Sequence, residues 1–464
     1  MTKPAQKQLG LAVLIAPIGA LVLGAASYLA QRGGMQNNAG FDVIFGALWT
    51  FALVYGVGLQ AIPLRDTLLW GAAFGFLGWL IGPVTIGSIL SGQGAQWSVS
   101  GVDRQFPELC AYLIYGITLG ILLPIAYRAY ILRESIQQVR VNRGALIRGA
   151  LAGLVVALIF VDPLPTIGLL PLPGMSPQAT PRIVYMLLSI VLGVVIGAII
   201  AQSQENGGVN LIRGFAYGFL WWFLAQLTLR PLVNGQTVAW TTGDARLVIG
   251  SLLSLMLYGA SLALAYHFLT RLQATLFADE AGIEERGEGI GARNLRALGW
   301  GTAGSLLGGL VFTVIMFQVG ALPTIANIVG SNSTFTGLVV HFIISIIIGM
   351  FYALLYGNQA TSFGNAAGWG ATYGLFWWVL GPITLLPLLL GQSGALTLGA
   401  AVAAYPGSFI GHIAYGVVTA VYIYAVERRY RDDQSPRPAQ TTGAQSALWL
   451  LVGTFVVIIP VLLH

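Results

Sequence analysis

The chain has 464 residues, of which 8% are charged and 56% hydrophobic, and its mean hydropathy is +0.79. A soluble domain carries roughly a quarter charged residues, so this composition excludes a water-soluble globular protein and reads as an all-α, polytopic integral membrane protein with the lipid bilayer as its surroundings. The net charge of +6 is an arginine balance, because only Lys3 and Lys7 are lysine, and it reads as a topology signal rather than a nucleic-acid footprint.

About 20 apolar residues at 1.5 Å rise cross the hydrocarbon of a bilayer. In chain order such runs fall near 9–30, 41–60, 68–90 and 108–127, then 146–169, 182–202, 212–231 and 247–270, then 298–320, 335–356, 366–390 and 406–426. A last run, 446–463, follows a flexible linker, so thirteen helices are expected. Polar connectors at 128–145, 271–296 and 427–445 separate the groups, and none has the look of a catalytic domain.

The grouping in fours has a second basis. Gly71, Gly75, Trp79, Thr85, Gly92 and Gln93 recur 299 positions later as Gly370, Gly374, Trp378, Thr384, Gly391 and Gln392. A middle copy keeps Gly214, Gly218, Trp222, Thr228, Gly235 and Gln236, offset by 156 from the third. Each copy runs on to a Tyr-Gly pair, at 115–116, 258–259 and 415–416, and to an arginine thirteen residues after the tyrosine. Ungapped matches of this kind read as internal triplication. The expected organisation is three parallel four-helix repeats, 1–143, 144–290 and 291–430, then a linker at 431–445 and one C-terminal transmembrane helix at 446–464.

With the N-terminus inside, 17 of the 22 basic residues fall on the cytoplasmic side and only Arg32, Arg104, Arg182, Arg230 and Arg246 on the outer side. That division obeys the positive-inside bias and places the C-terminus outside, in the cytoplasmic membrane of a prokaryote. Lys3, Lys7 and the small residues Gly24-Ala25-Ala26-Ser27 imitate a secretory signal, but its removal would leave the first repeat a helix short and reverse the charge rule. The first helix is therefore read as retained.

The glycine pairs, four residues apart, build a flat stripe for a crossing helix, with each tryptophan on the same face. Pro83 and Pro382, each after a glycine, delete a backbone bond inside a span and either line a ligand path or form a packed kink. Gln93, Gln236 and Gln392 follow a glycine at the outer end of the third helix of each repeat. They read either as C-caps or as a ring around an outer vestibule. Leu164-Pro165-Thr166-Ile167 and Leu322-Pro323-Thr324-Ile325 close the first helix of two repeats, and the proline-rich run 163–177 is an ordered loop or a re-entrant segment.

Ionisable groups at membrane depth are the usual pointers to transport chemistry. Asp42, Glu108, Asp162 and Asp244 fall at helix ends, which weighs against a transporter built on a buried carboxylate. Arg230 occupies a position that is Gly87 and Leu386 elsewhere; it is expected to snorkel outward or pair with Asp244 rather than to bind an anion. His341 and His412 lie at one depth in the third repeat, with Leu48 and Tyr185 as counterparts of the first and Tyr112 and Leu255 of the second. Two imidazoles at one depth ligate a b-type haem or a metal, or else each bonds a facing group, with Ser345 and Tyr415 as local candidates. Cys110, the sole cysteine, excludes an intramolecular disulfide and a cysteine-based cluster. No Walker loop, nucleophile triad or zincin helix appears, so no enzyme is expected.

Around Gly370-x-x-x-Gly374-x-x-x-Trp378 and His412-x-x-Tyr415-Gly416 the chain resembles a loose group of uncharacterised bacterial and archaeal four-helix membrane proteins. The resemblance covers about 130 residues of the third repeat and implies a fold unit with no assigned activity. Two functions then stand open. One is a transporter or channel for a small uncharged or weakly polar solute. The other is a structural or assembly subunit of a larger membrane complex, respiratory or photosynthetic, with haem binding by the histidine pair as a third.

Overall fold

The computed structural model describes residues 3–31, 39–54, 67–127, 143–159, 182–200, 207–277, 290–357, 360–392, 407–429 and 442–463. The described residues are helical, without a strand, which is what a chain in lipid requires when no water is at hand to satisfy backbone groups. Nine helices among them are long and apolar enough to cross a membrane, and two shorter apolar ones cover Gly40–Ala52 and Arg182–Ala198. Each of the thirteen expected runs is helical over most of its described residues, with turns at Val248, Val319, Gly320 and Leu390. Those at 41–60 and 146–169 continue outside the described residues, as do Leu164–Ile167 and the run 163–177.

The chain divides into two compact units. The first gathers residues 1–204, 213–266 and 440–464, and the second gathers 205–212 and 267–439. In the first unit α1 is Lys3–Gln31, α2 Ala39–Ala52, α3 Thr67–Ile81, α4 Val99–Arg104 and α5 Phe106–Tyr127. Next come α6, Arg143–Ile159, and α7, Arg182–Ile200. Most of α8, Gly207–Trp222, belongs here, together with α9, Thr242–Leu247, and most of α10, Ile249–Phe277. The second unit holds α11, Ile290–Gln318, α12, Leu322–Ala326, α13, Thr334–Tyr356, α14, Phe363–Trp378, and α15, Gly407–Glu427. The terminal α16, Thr442–Gly453, packs on α3 in the first unit, with Gly453 against the Phe76 ring.

The glycine stripes are where helices cross. A Cβ at Gly71 would run into the Gly116 carbonyl oxygen, and one at Gly116 into that of Gly71. Gly214 and Gly259 make the same reciprocal contact, as do Gly370 and Gly416. The glycine of each Tyr-Gly pair is thus the partner of the stripe, and the backbones approach as only small residues in lipid allow. The tryptophans that follow are fully buried. Trp79 Nε1 donates to the Gln105 carbonyl at 2.8 Å and Trp222 Nε1 to the Val248 carbonyl at 3.0 Å. Each anchors the joint between a short helix and the long one after it.

The proline positions are wider turns, not breaks. Residues Gly82–Gly87, Phe223–Leu229 and Val379–Leu385 are π-helical, continuing α3, α8 and α14 before a last α-helical turn. The middle segment has Ala225-Gln226 where the others have Gly-Pro, so proline alone does not cause the turn. The shared residue is a threonine. Thr85, Thr228 and Thr384 each donate Oγ1 to the carbonyl five residues back, at 2.7, 3.2 and 2.7 Å, which supports the longer repeat.

Beyond the π turn each helix ends in the same cap. Gly92, Gly235 and Gly391 have φ of +76°, +70° and +67°. The N–H groups of Gln93, Gln236 and Gln392 reach back to the carbonyls of Ser88, Pro231 and Pro387 at 2.9, 2.9 and 2.8 Å. With the glycine N–H bonded to the next carbonyl, that of Ile89, Leu232 or Leu388, this is a Schellman cap.

Candidate functional site

In the second unit α11 packs on α13 and on α15, and α15 packs on α14. Helices α13 and α14 therefore flank a cleft. At one end they are tied by Tyr352 against Tyr373, ring centroids 5.2 Å apart, and by Tyr373 Oη donating to the Ile348 carbonyl at 2.8 Å. At the other end, which holds the N-termini of α13 and α15, the cleft opens into a cavity of about 1060 Å³. His341, His412, Pro382 and Gln392 all line it, together with Ser345 and Tyr415.

The first unit shows what fills the same space elsewhere. Its α2, α1, α5 and α3 pack in the same order. A ladder of Phe41, Phe45 and Trp49 stacks along α2 at centroid spacings of 5.6 Å. Phe45 lies over Gly82 and Trp49 over Gly78, and Trp49 Nε1 donates to the Phe74 carbonyl at 3.3 Å. Tyr115 Oη is 2.6 Å from Thr50 Oγ1, as Tyr258 Oη is 2.5 Å from Ser189 Oγ, and Tyr415 Oη donates to the Ser345 carbonyl at 2.6 Å. These bonds match Thr50 with Ser189 and Ser345. In that register the ladder positions in α13 are Thr336, Val340 and Ile344, of which Ile344, in the place of Trp49, lines the cavity.

The register also corrects a pairing. Gly46, which is buried, stands in the place of His341; Leu48, 65% exposed, points away. Counting apolar residues misplaces α2 by two because that helix is apolar on every side, and only the tyrosine hydroxyl fixes its rotation.

The two imidazoles share a wall. The Phe312 ring meets His341 and His412 edge to face, centroids 5.4 and 4.7 Å away. His341 Nε2 is 3.1 Å from the Gly309 carbonyl and His412 Nδ1 is 2.7 Å from the Ser408 carbonyl. A carbonyl only accepts, so each histidine donates there, and the opposite nitrogen of each ring carries the lone pair. The partners are therefore backbone carbonyls, while Ser345 and Tyr415 bond each other. A haem clamped between these rings would have to displace Phe312, which packs against both. Among the described residues no group of three or more His, Cys, Asp or Glu is placed to hold a metal ion.

The other expected residues are not gathered here. Gln93 and Gln236 belong to the first unit, Gln392 to the second, and all three side chains are exposed. Pro83 is buried in the first unit. Arg230 is exposed and donates Nη1 to Gln226 Oε1 at 3.2 Å, one turn back on its own helix. It does not pair with Asp244, whose carboxylate is taken by the Thr241 capping box, with Oδ2 2.6 Å from Thr241 Oγ1.

A buried carboxylate escaped the sequence reading. Asp42 is 1% exposed and accepts a hydrogen bond of 3.0 Å from Tyr112 Oη. Its place near the start of α2 suggested the membrane surface, but α1, α3 and α5 close around it. Tyr112 is the counterpart of His412, so the signal was a second polar residue at that one position. No family model, no curated protein and no solved structure matches the chain.

Proposed function

We propose that this multi-pass membrane protein is a transporter or channel that takes up a small uncharged or weakly polar molecule in the cavity between α13 and α14. The observation that carries the reading is the cavity itself, about 1060 Å³ and walled by Phe312, Met316, Ile344, Ile348 and Leu385 around a few polar groups. Its size and its mix of apolar wall with few polar atoms are those of small-molecule sites. In the first unit the Trp49 ring stands at the position where Ile344 lines the cavity, which favours the third copy of the pattern as the one specialised for a ligand. Among the described residues the walls bring no carboxylate and no lysine or arginine, which suits an uncharged solute.

Thiol chemistry tests the reading. In a chain carrying Cys110→Ala and Ser408→Cys, a small uncharged maleimide should modify residue 408 in proteoliposomes. Adding Ile344→Trp, which restores an aromatic ring of the first unit's ladder, should protect it. Absence of modification at residue 408 would remove the basis for a solute site.

A further inference from the structure

We infer that the ligand of this cavity is a lipid-soluble phenol, a hydroxyl-bearing ring with an apolar tail, whose O–H donates to the lone pair of His412 Nε2. The inference rests on the cavity reading above and adds the chemistry of what fills it.

Each imidazole presents an acceptor nitrogen, beside the hydroxyls of Ser345 and Ser408 that also line the cavity. His341 gives its only N–H to Gly309 and His412 gives its own to Ser408. Tyr415 gives its hydroxyl proton to Ser345. Within the described residues neither His341 Nδ1 nor His412 Nε2 has a hydrogen-bond partner. His412 Nε2 faces the π turn of α14, where a Cβ on Gly381 would lie 3.8 Å from it. Trp377 contributes only its ring, for its Nε1 is sealed from solvent beside Tyr373. A ligand that only accepts hydrogen bonds would leave these lone pairs stranded in an apolar surround, whereas one hydroxyl proton satisfies one of them at once.

Ring shape follows from the first unit. There the matching volume holds the phenol ring of Tyr112, at the position of His412, beside Phe45 at a centroid distance of 6.1 Å. In the second unit Val340 takes the place of Phe45, and the aromatic rings of Phe312 and Trp377 line the cavity, walls against which a ring can pack. Access is from the bilayer. Leu385 and Leu389, on the α14 side of the cavity, are exposed apolar side chains, at 39% and 63%. An apolar tail extending between them meets only hydrocarbon.

The test uses the full chain in lipid nanodiscs, with para-hexylphenol and its methyl ether as probes and equilibrium dialysis as the measurement. The phenol should bind saturably at one site per chain, and the ether about tenfold more weakly, the value of one hydrogen bond. His412→Leu should bring the phenol down to the ether, while His412→Gln, which keeps an acceptor, should preserve most of the difference. Ile344→Trp should abolish binding of both probes and serves if the leucine variant does not fold. Equal, saturable binding of phenol and ether to the wild type would overturn the hydroxyl assignment and leave the cavity reading standing. Absence of saturable binding for both would overturn the two together.

Discussion

Arg246 Nη2 and Asp103 Oδ1 form an ion pair of 3.2 Å, and the two residues hold the same position in successive copies of the sequence pattern, 143 residues apart. A contact between matched positions is what a two-fold relation between two copies produces. The same Arg246 nitrogen also donates to the Val461 carbonyl at 3.1 Å, so it holds the last turn of the terminal helix as well. Both side chains are more than a third exposed, so the pair by itself is worth little.

Asp103→Ala is therefore expected to lower stability by less than about 1 kcal/mol, and Arg246→Ala by more than Asp103→Ala, because the second also uncaps Val461. Thermal unfolding in detergent measures both. Equal losses would mean that the bond to Val461 contributes nothing.

The helix crossings predict an unequal pair of glycine effects. Gly374 lies against the His412 carbonyl, so Gly374→Leu forces two backbones apart and should cost about 3 kcal/mol or more. Gly391→Ala meets open space and only strains a left-handed cap, at about 1 kcal/mol. A melting curve that moves equally for the two variants would contradict the crossing.

Removal of one partner from the buried polar pair of the first unit is informative too. Tyr112→Phe leaves the Asp42 carboxyl without this bond inside the bundle, and a loss of about 0.5–2 kcal/mol is expected, the range of hydrogen bonds between membrane helices. Asp42→Asn keeps an acceptor for the phenol and should be milder. The reverse order would show that the Asp42 charge, rather than its bond to Tyr112, is what stabilises the site.

On topology, cysteines placed in 128–145, 271–296 and 427–445 of a Cys110-free chain should be protected from an impermeant thiol reagent in intact cells. Those at 93–104 and 391–402 should react. Labelling of 271–296 from outside would sink the parallel arrangement of the repeats, which rests on the positive-inside bias.

The histidines make a spectroscopic prediction. Purified protein should show only aromatic absorption, since the Phe312 ring packs edge to face against both His341 and His412 and a ligand shared by the two would have to displace it. A stoichiometric, reducible visible band lost in His412→Ala would assign the protein to electron transfer.

What the sequence made legible was the part fixed by short-range pattern. Gly71, Gly75 and Trp79 announce a close helix crossing because only small residues at that spacing permit it, and the depth of His341 and His412 follows from counting residues along a helix. Rotation was not legible. With lipid on one side and protein on the other, the apolar residues of α2 do not say which side faces the core, so Asp42 read as a surface residue and Leu48 as the counterpart of His341. The π turns were hidden for another reason. Proline drew the eye to Pro83 and Pro382, whereas the longer repeat depends on a threonine that also serves where proline is absent, at Thr228.

The π turn of α14 has a mechanical meaning. It holds one residue more than an α-helix needs, and it sits between a half pinned by Gly370 and Gly374 to α15 and a half that ends at Gln392. Passing that surplus residue along the helix would swing 386–392 by about 100° while the pinned half stays seated. The π turn thus stands as the joint between the pinned half of the helix and the half that lines the cavity, and the Thr384 hydroxyl, donating to the Val379 carbonyl, bridges it.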